Sequence, residues 1–288
     1  MSEKVSIKTS FNAFIFTHVF ISLSAVTLSI SSYLILTPSG FHKISLPLLA
    51  FIFFSTLFVY NYYITSYSFS QEKPTPKDKW IIENEKQVKL IFCLSLAGII
   101  YTTFFLRTDQ ILYLVHLGVL SLLYIFPIRL GSFEFYLRKL PFVKIFVLSY
   151  VWASVTVFLP ASDLGRLNDP QTFLVFVERF LFILALAIPF DIRDFDKDKR
   201  ENVKTIPGLL GVKSAKIASV FLLMCYVLFS LSIHGLDYVS LSRACSGIFA
   251  VFLISRINDE TADAFYMFLI DGVMIFHFVV LSLTYILI

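Results

Sequence analysis

Apolar runs of bilayer length recur from one end of this chain to the other, and no other feature narrows its fold so far. A spanning helix needs about 20 predominantly apolar residues. Inside a bilayer, only structures that satisfy their own backbone hydrogen bonds survive. Runs that reach or approach this length lie near 11–36, 45–68, 88–106, 110–130, 142–160, 172–190, 214–234, 240–256 and 264–287. They predict an all-α polytopic membrane protein with nine transmembrane helices. Composition agrees, since 57% of the 288 residues are hydrophobic and only 15% charged, which separates the chain from soluble domains. There is no low-complexity linker or Pro/Gly-rich hinge, so residues 1–288 read as a single integral membrane domain whose surroundings are the lipid bilayer, with no nucleic-acid partner expected. The first run is longer than a signal-peptide core and lacks a small-residue cleavage pattern. Cys93, Cys225 and Cys245 are scattered through apolar segments and read as packing residues.

Lys and Arg in short loops accumulate on the cytoplasmic side. With the N-terminus inside, alternate loops hold nineteen of the 24 basic residues, and the opposite loops hold Lys43, Arg107, Arg166 and Arg243. Arg179 falls within a span. The asymmetry predicts a cytoplasmic N-terminus and a C-terminus outside, in a membrane such as a bacterial inner membrane. It also places two large loops, near 69–87 and 191–213, on the cytoplasmic side.

The second of these loops, "DIRDFDKDKRENVKTIPGLLG" from Asp191 to Gly211, is the most charged stretch of the chain. If the sixth helix continues past Pro189, Asp191, Asp194 and Asp198 stand at i, i+3 and i+7 and share a face, while Asp196 points away. Three neighbouring carboxylates need a cation. Mg2+ suits them, because it takes one or two carboxylates, keeps waters and accepts phosphate oxygens. Lys204 and Arg193 then stand ready for a polyphosphate. The same stretch also reads as a solvated loop, since Arg193, Lys197, Lys199, Arg200 and Lys204 balance Asp191, Asp194, Asp196, Asp198 and Glu201. Spacing alone leaves both readings open.

The order Asp-x-x-Asp-x-x-x-Asp followed by "KTIPGLLG" (Lys204 to Gly211) resembles the second aspartate-rich motif of the UbiA superfamily of intramembrane prenyltransferases. "LYIFPIR" (Leu123 to Arg129) and "LRKLPFVKIFVLSYVWA" (Leu137 to Ala153) resemble that family's Tyr-x-x-Pro-x-Arg/Lys and basic-Pro-x-x-Lys stretches. The resemblance runs over essentially the whole chain. It implies a UbiA-type bundle around a central cavity and a Mg2+-dependent transferase. The donor would be an isoprenyl diphosphate, and the acceptor lipid-soluble and hydrophobic, commonly an aromatic ring. Asp191, Asp194 and Asp198 would be the catalytic metal ligands, with Lys204, Arg193, Lys144 and Asn61 contacting the diphosphate.

The chain departs from the family at the end of its second helix. Where the first motif reads Asn-Asp-x-x-Asp-x-x-x-Asp, this sequence has "NYYITSYSF", with Asn61 kept and Tyr62, Thr65 and Phe69 in the carboxylate positions. Glu72, Asp78, Glu83 and Glu85 follow in the same loop without clustered spacing, and Lys73 offers an alternative diphosphate contact. A non-catalytic relative that binds a lipid or a partner is therefore the second reading. Glu178 and Arg179, in the sixth run, are expected at the outer membrane interface. Isolated His18, His116 and His277 are expected as hydrogen-bonded core residues.

Overall fold

The structure is a computed structural model that describes residues 11–37, 44–68, 75–125, 128–130, 133–135, 140, 142–200, 203–258 and 260–287. Among these residues the architecture is helical. α1 is Val19–Leu36, α2 Leu46–Ser68, α3 Pro76–Glu83, α4 Glu85–Thr103 and α5 Thr108–Ile125. A two-stranded antiparallel ribbon follows, β1 (Ile128–Leu130) pairing with β2 (Phe133–Phe135). Then come α6 (Val143–Asp163), α7 (Pro170–Arg193), α8 (Phe195–Arg200), α9 (Ile206–Leu210), α10 (Val212–His234), α11 (Tyr238–Ser255) and α12 (Phe265–Leu287). α6 passes through a π-helical turn at Ser154–Phe158, and α12 opens on another at Phe265–Ile270.

Six described helices are long and apolar enough to cross a membrane: α1, α6, α7, α11 and α12 over their full lengths, and α10 over Val212–Ile233. Leu46–Tyr62 and Thr108–Tyr124 are shorter apolar helices. The chain is a multi-pass integral membrane protein.

The serine-rich α1 shows how an apolar helix carries hydroxyls. Ser22, Ser24, Ser31 and Ser32 each donate to the carbonyl four residues earlier, at 2.8, 3.1, 3.0 and 3.3 Å, so these four hydroxyls are satisfied within their own helix. On α10, Ile217, Phe221, Met224 and Leu228 are all exposed. Their helical spacing makes one apolar outward face, which lipid covers. Cys93 and Cys245, expected to pack inside, lie instead on exposed helix faces.

The chain divides into two compact units. One gathers the residues up to Val26 with Ser45–Leu106, and the other gathers Thr27–Ile44 with Arg107 onward. In the first, α2 packs along α4: the rings of Phe58 and Phe92 stack 4.8 Å apart, and Gly98 admits the Phe54 ring so closely that a Cβ there would lie 2.4 Å from it. In the second, α7 is central, packing on α6 and α10, and α11 packs on both α10 and α12. Its core joins Leu34 and Leu36 of α1 to Val157 and Ala161 of α6, Val175 of α7 and Leu281 of α12.

The N-terminal end of α7 is anchored by polar contacts. Asp169 caps it by accepting from the Gln171 amide at 2.9 Å. Arg166 bonds Asp169, Gln171 and the last carbonyl of α1, Leu36 O. Tyr33 donates to Asp163 at 2.9 Å. The opposite end of α7 carries the candidate site.

Candidate functional site

α7 runs through Pro189 and Asp191 and ends at Arg193; Asp194 then adopts a non-helical φ/ψ of −88°/7° before α8 begins. The helical bonds nearly continue across this joint, Asp194 N–H to Phe190 O at 2.9 Å and Asp198 N–H to Asp194 O at 2.8 Å. Asp191 and Asp198, on either side of this residue, still reach one point, whereas Asp194 itself turns to Arg193. The three aspartates therefore divide two and one.

Asp191 and Asp198 are buried, at 2% and 5% exposure, and converge on one ammonium. Lys144 Nζ lies 2.8 Å from Asp191 Oδ1 and 2.9 Å from Asp198 Oδ2. Lys144 sits on the first turn of α6, just after Phe142, whose φ of 62° is left-handed. The Phe142 amide donates to the Lys204 carbonyl at 3.4 Å, so Lys204 contributes its backbone to the start of α6 while its side chain is exposed. Burial pushes the Asp198 carboxyl upward, and the Lys144 ammonium offsets this only in part.

Asp194 is held elsewhere. Arg193 Nε donates to its Oδ1 at 2.8 Å and Nη2 to its Oδ2 at 3.1 Å, a bidentate clasp. The guanidinium also lies 5.1 Å from the centre of the Phe190 ring. Burial alone would raise the Asp194 carboxyl, but the clasped guanidinium outweighs it and holds that group well below the usual carboxylate range. Asp196 is exposed, as its spacing predicts. The "KTIPGLLG" stretch folds as the short α9, capped by Thr205 Oγ1 accepting from Gly208 N–H at 3.4 Å, and Gly211, at φ 83°, turns the chain into α10.

Two buried hard-oxygen donors meeting at one cation match what Mg2+ asks of a protein, one or two carboxylates with the remaining positions left to water and phosphate. Asp191 and Asp198 fit that role; Asp194 has both oxygens on Arg193, while its charge still acts on Lys144. Among the described residues, no group of three or more His, Cys, Asp or Glu side chains is assembled for a metal.

Asn61 belongs to the first unit. It is fully buried and donates from Nδ2 to Thr17 O and Leu57 O, both at 2.8 Å. Thr17 precedes His18, whose φ of 62° interrupts the N-terminal helix, so Asn61 receives a carbonyl released by that break. Asp78 is consumed by a capping box at the start of α3, accepting from Thr75 N–H at 3.0 Å and Thr75 Oγ1 at 2.7 Å. Glu85 pairs with Lys89 on an exposed face. Phe69, Glu72 and Lys73 lie outside the described residues.

A second polar cluster is invisible in the hydropathy profile. Glu178 and Arg179, expected at an interface, are buried in the second unit at 3% and 4% exposure. Glu178 pairs with Arg243 of α11 at 2.7 Å, and Arg179 donates to Leu28 O at 3.2 Å and toward Ser32 Oγ at 3.4 Å. His277, buried at 2% exposure, has its Nδ1 3.0 Å from Ser246 Oγ, a hydrogen-bonded core histidine as anticipated. Arg243 reads as a loop residue in sequence but is 1% exposed. The available signal was a Glu-Arg pair inside an apolar run, because ionisable groups within a span face the bundle interior and pair with one another or with backbone carbonyls.

The UbiA prenyltransferase family model matches residues 81–271. Digeranylgeranylglyceryl phosphate synthase of Haloquadratum walsbyi is 28% identical over 109 residues, a stretch spanning 36% of this chain and 38% of that relative. A UbiA homologue from Archaeoglobus fulgidus, solved bound to GPP and Mg2+, superposes with a TM-score of 0.63 at 13% identity, covering 94% of this chain and 99% of the other. A UbiA homologue from Aeropyrum pernix K1, solved in its apo form, gives 0.60 at 16% identity, covering 93% and 96%. These likenesses establish a shared fold.

Proposed function

The chain belongs to the UbiA prenyltransferase family, and on that premise we propose that it transfers a prenyl group from an isoprenyl diphosphate to a lipid-soluble acceptor, at a cytoplasm-facing site within the membrane. The observation that carries the reading is the convergence of buried Asp191 and Asp198 on one cationic point at the loop end of α7. Donor substrates of this class ionise at an allylic carbon. The C1–O bond breaks, its electron pair leaves with the diphosphate, and the acceptor adds to the cation and gives up a proton. Mg2+, held by Asp191 and Asp198, would neutralise the charge growing on the leaving group. Lys144 and Lys204 supply further positive charge to the same diphosphate. Arg193, committed to Asp194, acts by holding the α7–α8 joint, and the family resemblance adds Asn61 to the diphosphate contacts.

An aromatic ring is one acceptor consistent with the family. The name of the Haloquadratum relative describes a product carrying geranylgeranyl groups on a glyceryl phosphate, so an isoprenyl glyceryl phosphate is the other. The missing first-motif carboxylates favour, as a second reading, a relative that binds lipid without turnover. The test is binding of a geranylgeranyl thiodiphosphate analogue to the detergent-purified chain with and without Mg2+, for the native protein and for Asp191→Asn combined with Asp198→Asn. Mg2+-dependent binding lost in the variant is expected. Absence of binding by the native chain would favour the non-catalytic reading.

A further inference from the structure

Lys144 and a divalent cation have claims on the same two oxygens. Asp191 and Asp198 are almost sealed from solvent, and a buried carboxylate pair without a cation is strongly unfavourable. Lys144 meets that need with two of its three N–H donors, at 2.8 and 2.9 Å. Asp194, whose charge also acts on Lys144, is already matched by Arg193, which engages both its oxygens. A divalent ion on Asp191 and Asp198 would face an ammonium at contact distance, with three positive charges set against two negative ones. Only one cation can stay.

The side chain that must yield is built to do so. A lysine is a compact, strongly hydrated charge on a flexible four-carbon stem, unlike the rigid fork of arginine. Lys144 sits on the first turn of α6 and keeps 21% of its side chain exposed, against 3% for Asp191 and 7% for Asp198. It therefore has a route out of the pair that the carboxylates lack.

We propose that the Lys144 ammonium is the resident counter-ion of the Asp191–Asp198 pair and is exchanged for a divalent cation, so that metal entry and release of Lys144 toward the diphosphate are one event. This rests on the prenyl-diphosphate reading and adds a coupling to it. Metal alone must evict a well-paired lysine and binds weakly. Metal arriving with a diphosphate offers the evicted ammonium a new anionic partner and binds tightly. The two ligands therefore favour one another reciprocally.

The experiment uses Mn2+ as probe, with the full chain in detergent, and measures Mn2+ affinity by electron paramagnetic resonance with and without saturating geranylgeranyl thiodiphosphate. Native protein is compared with Lys144→Met, which keeps much of the stem and removes the charge, and with Asp191→Asn/Asp198→Asn as control. Without the analogue, K144M binds Mn2+ at least about 10-fold tighter than native. With the analogue that advantage disappears or reverses, because the native lysine now contacts the diphosphate. Equal affinities without the analogue, or a ratio unchanged by it, overturn the exchange while leaving a metal site intact. No Mn2+ binding by either protein under either condition overturns the underlying metal and diphosphate reading as well. Should K144M fail to fold, amine labelling of native Lys144, read by mass spectrometry, answers the same question. Mn2+ alone must raise its labelling at least about 3-fold, and unchanged labelling refutes the exchange.

Discussion

Replacing Glu178 with Gln isolates one charge in the interior of the second unit. Gln keeps an oxygen that can accept from Arg243 Nη1, now 2.7 Å from Glu178 Oε2, and removes only the negative charge. What remains is Arg243 and Arg179 lining a single cavity together with Tyr226 and His277, and no carboxylate among its lining residues. Removing one member of a buried pair costs about 3–5 kcal/mol, chiefly because the surviving charge is left uncompensated. The retained hydrogen bond places Glu178→Gln at about 3 kcal/mol. With each kcal/mol shifting Tm by about 2–4 °C in chains of comparable size, thermal unfolding in detergent followed by intrinsic fluorescence should show a fall of roughly 6–12 °C. Adding Arg243→Met to Glu178→Gln removes the orphaned guanidinium and should recover part of that loss. A single variant within 2 °C of native, or a double variant less stable than the single, would refute the electrostatic account of this cluster.

Phe142 holds a left-handed φ of 62°, a conformation that costs a non-glycine residue roughly 1–2 kcal/mol. Phe142→Gly should therefore match or exceed native stability, while the β-branched Phe142→Val falls below it in the same melt. Asn61→Leu removes two bonds at 2.8 Å from a fully buried amide, and should lower stability by about 1–3 kcal/mol. Because Asp194 titrates below its unfolded value of about 3.9, its stabilisation is complete above that pH and is lost as pH falls through the lower folded value. The stability gap between native and Asp194→Asn protein should be flat from about pH 5 to 8 and close below about pH 4.

Much of the fold was legible from apolar run length alone, because a bilayer leaves a hydrophobic segment few alternatives to a helix. The runs near 142–160, 172–190, 240–256 and 264–287 coincide with α6, α7, α11 and α12. The first run is helical from residue 11 onward, and nothing in its composition marks the break at His18. In the candidate site, the residue types and their loop were legible, but their grouping was not. Three aspartates at i, i+3 and i+7 share a face on a helix, but spacing says nothing of their cations: Arg193 takes Asp194 while Lys144 takes the other two. Lys144 stands 47 residues before Asp191, so no local spacing could announce that it bridges Asp191 and Asp198.

The sequence by itself determined that this chain spans the membrane in helices, and that a carboxylate-rich loop follows the sixth apolar run. Both are local properties, set by the transfer of apolar side chains into lipid and by the charges on consecutive residues. Only the tertiary structure decided which cation each buried carboxylate meets: Lys144 for Asp191 and Asp198, Arg193 for Asp194, and Arg243 for Glu178. The physical reason is range. A charge in a low-dielectric interior is stabilised by whatever lies within about 3 Å of it, and for Asp191, Asp198 and Glu178 that neighbour is brought by helix packing from a distant part of the chain.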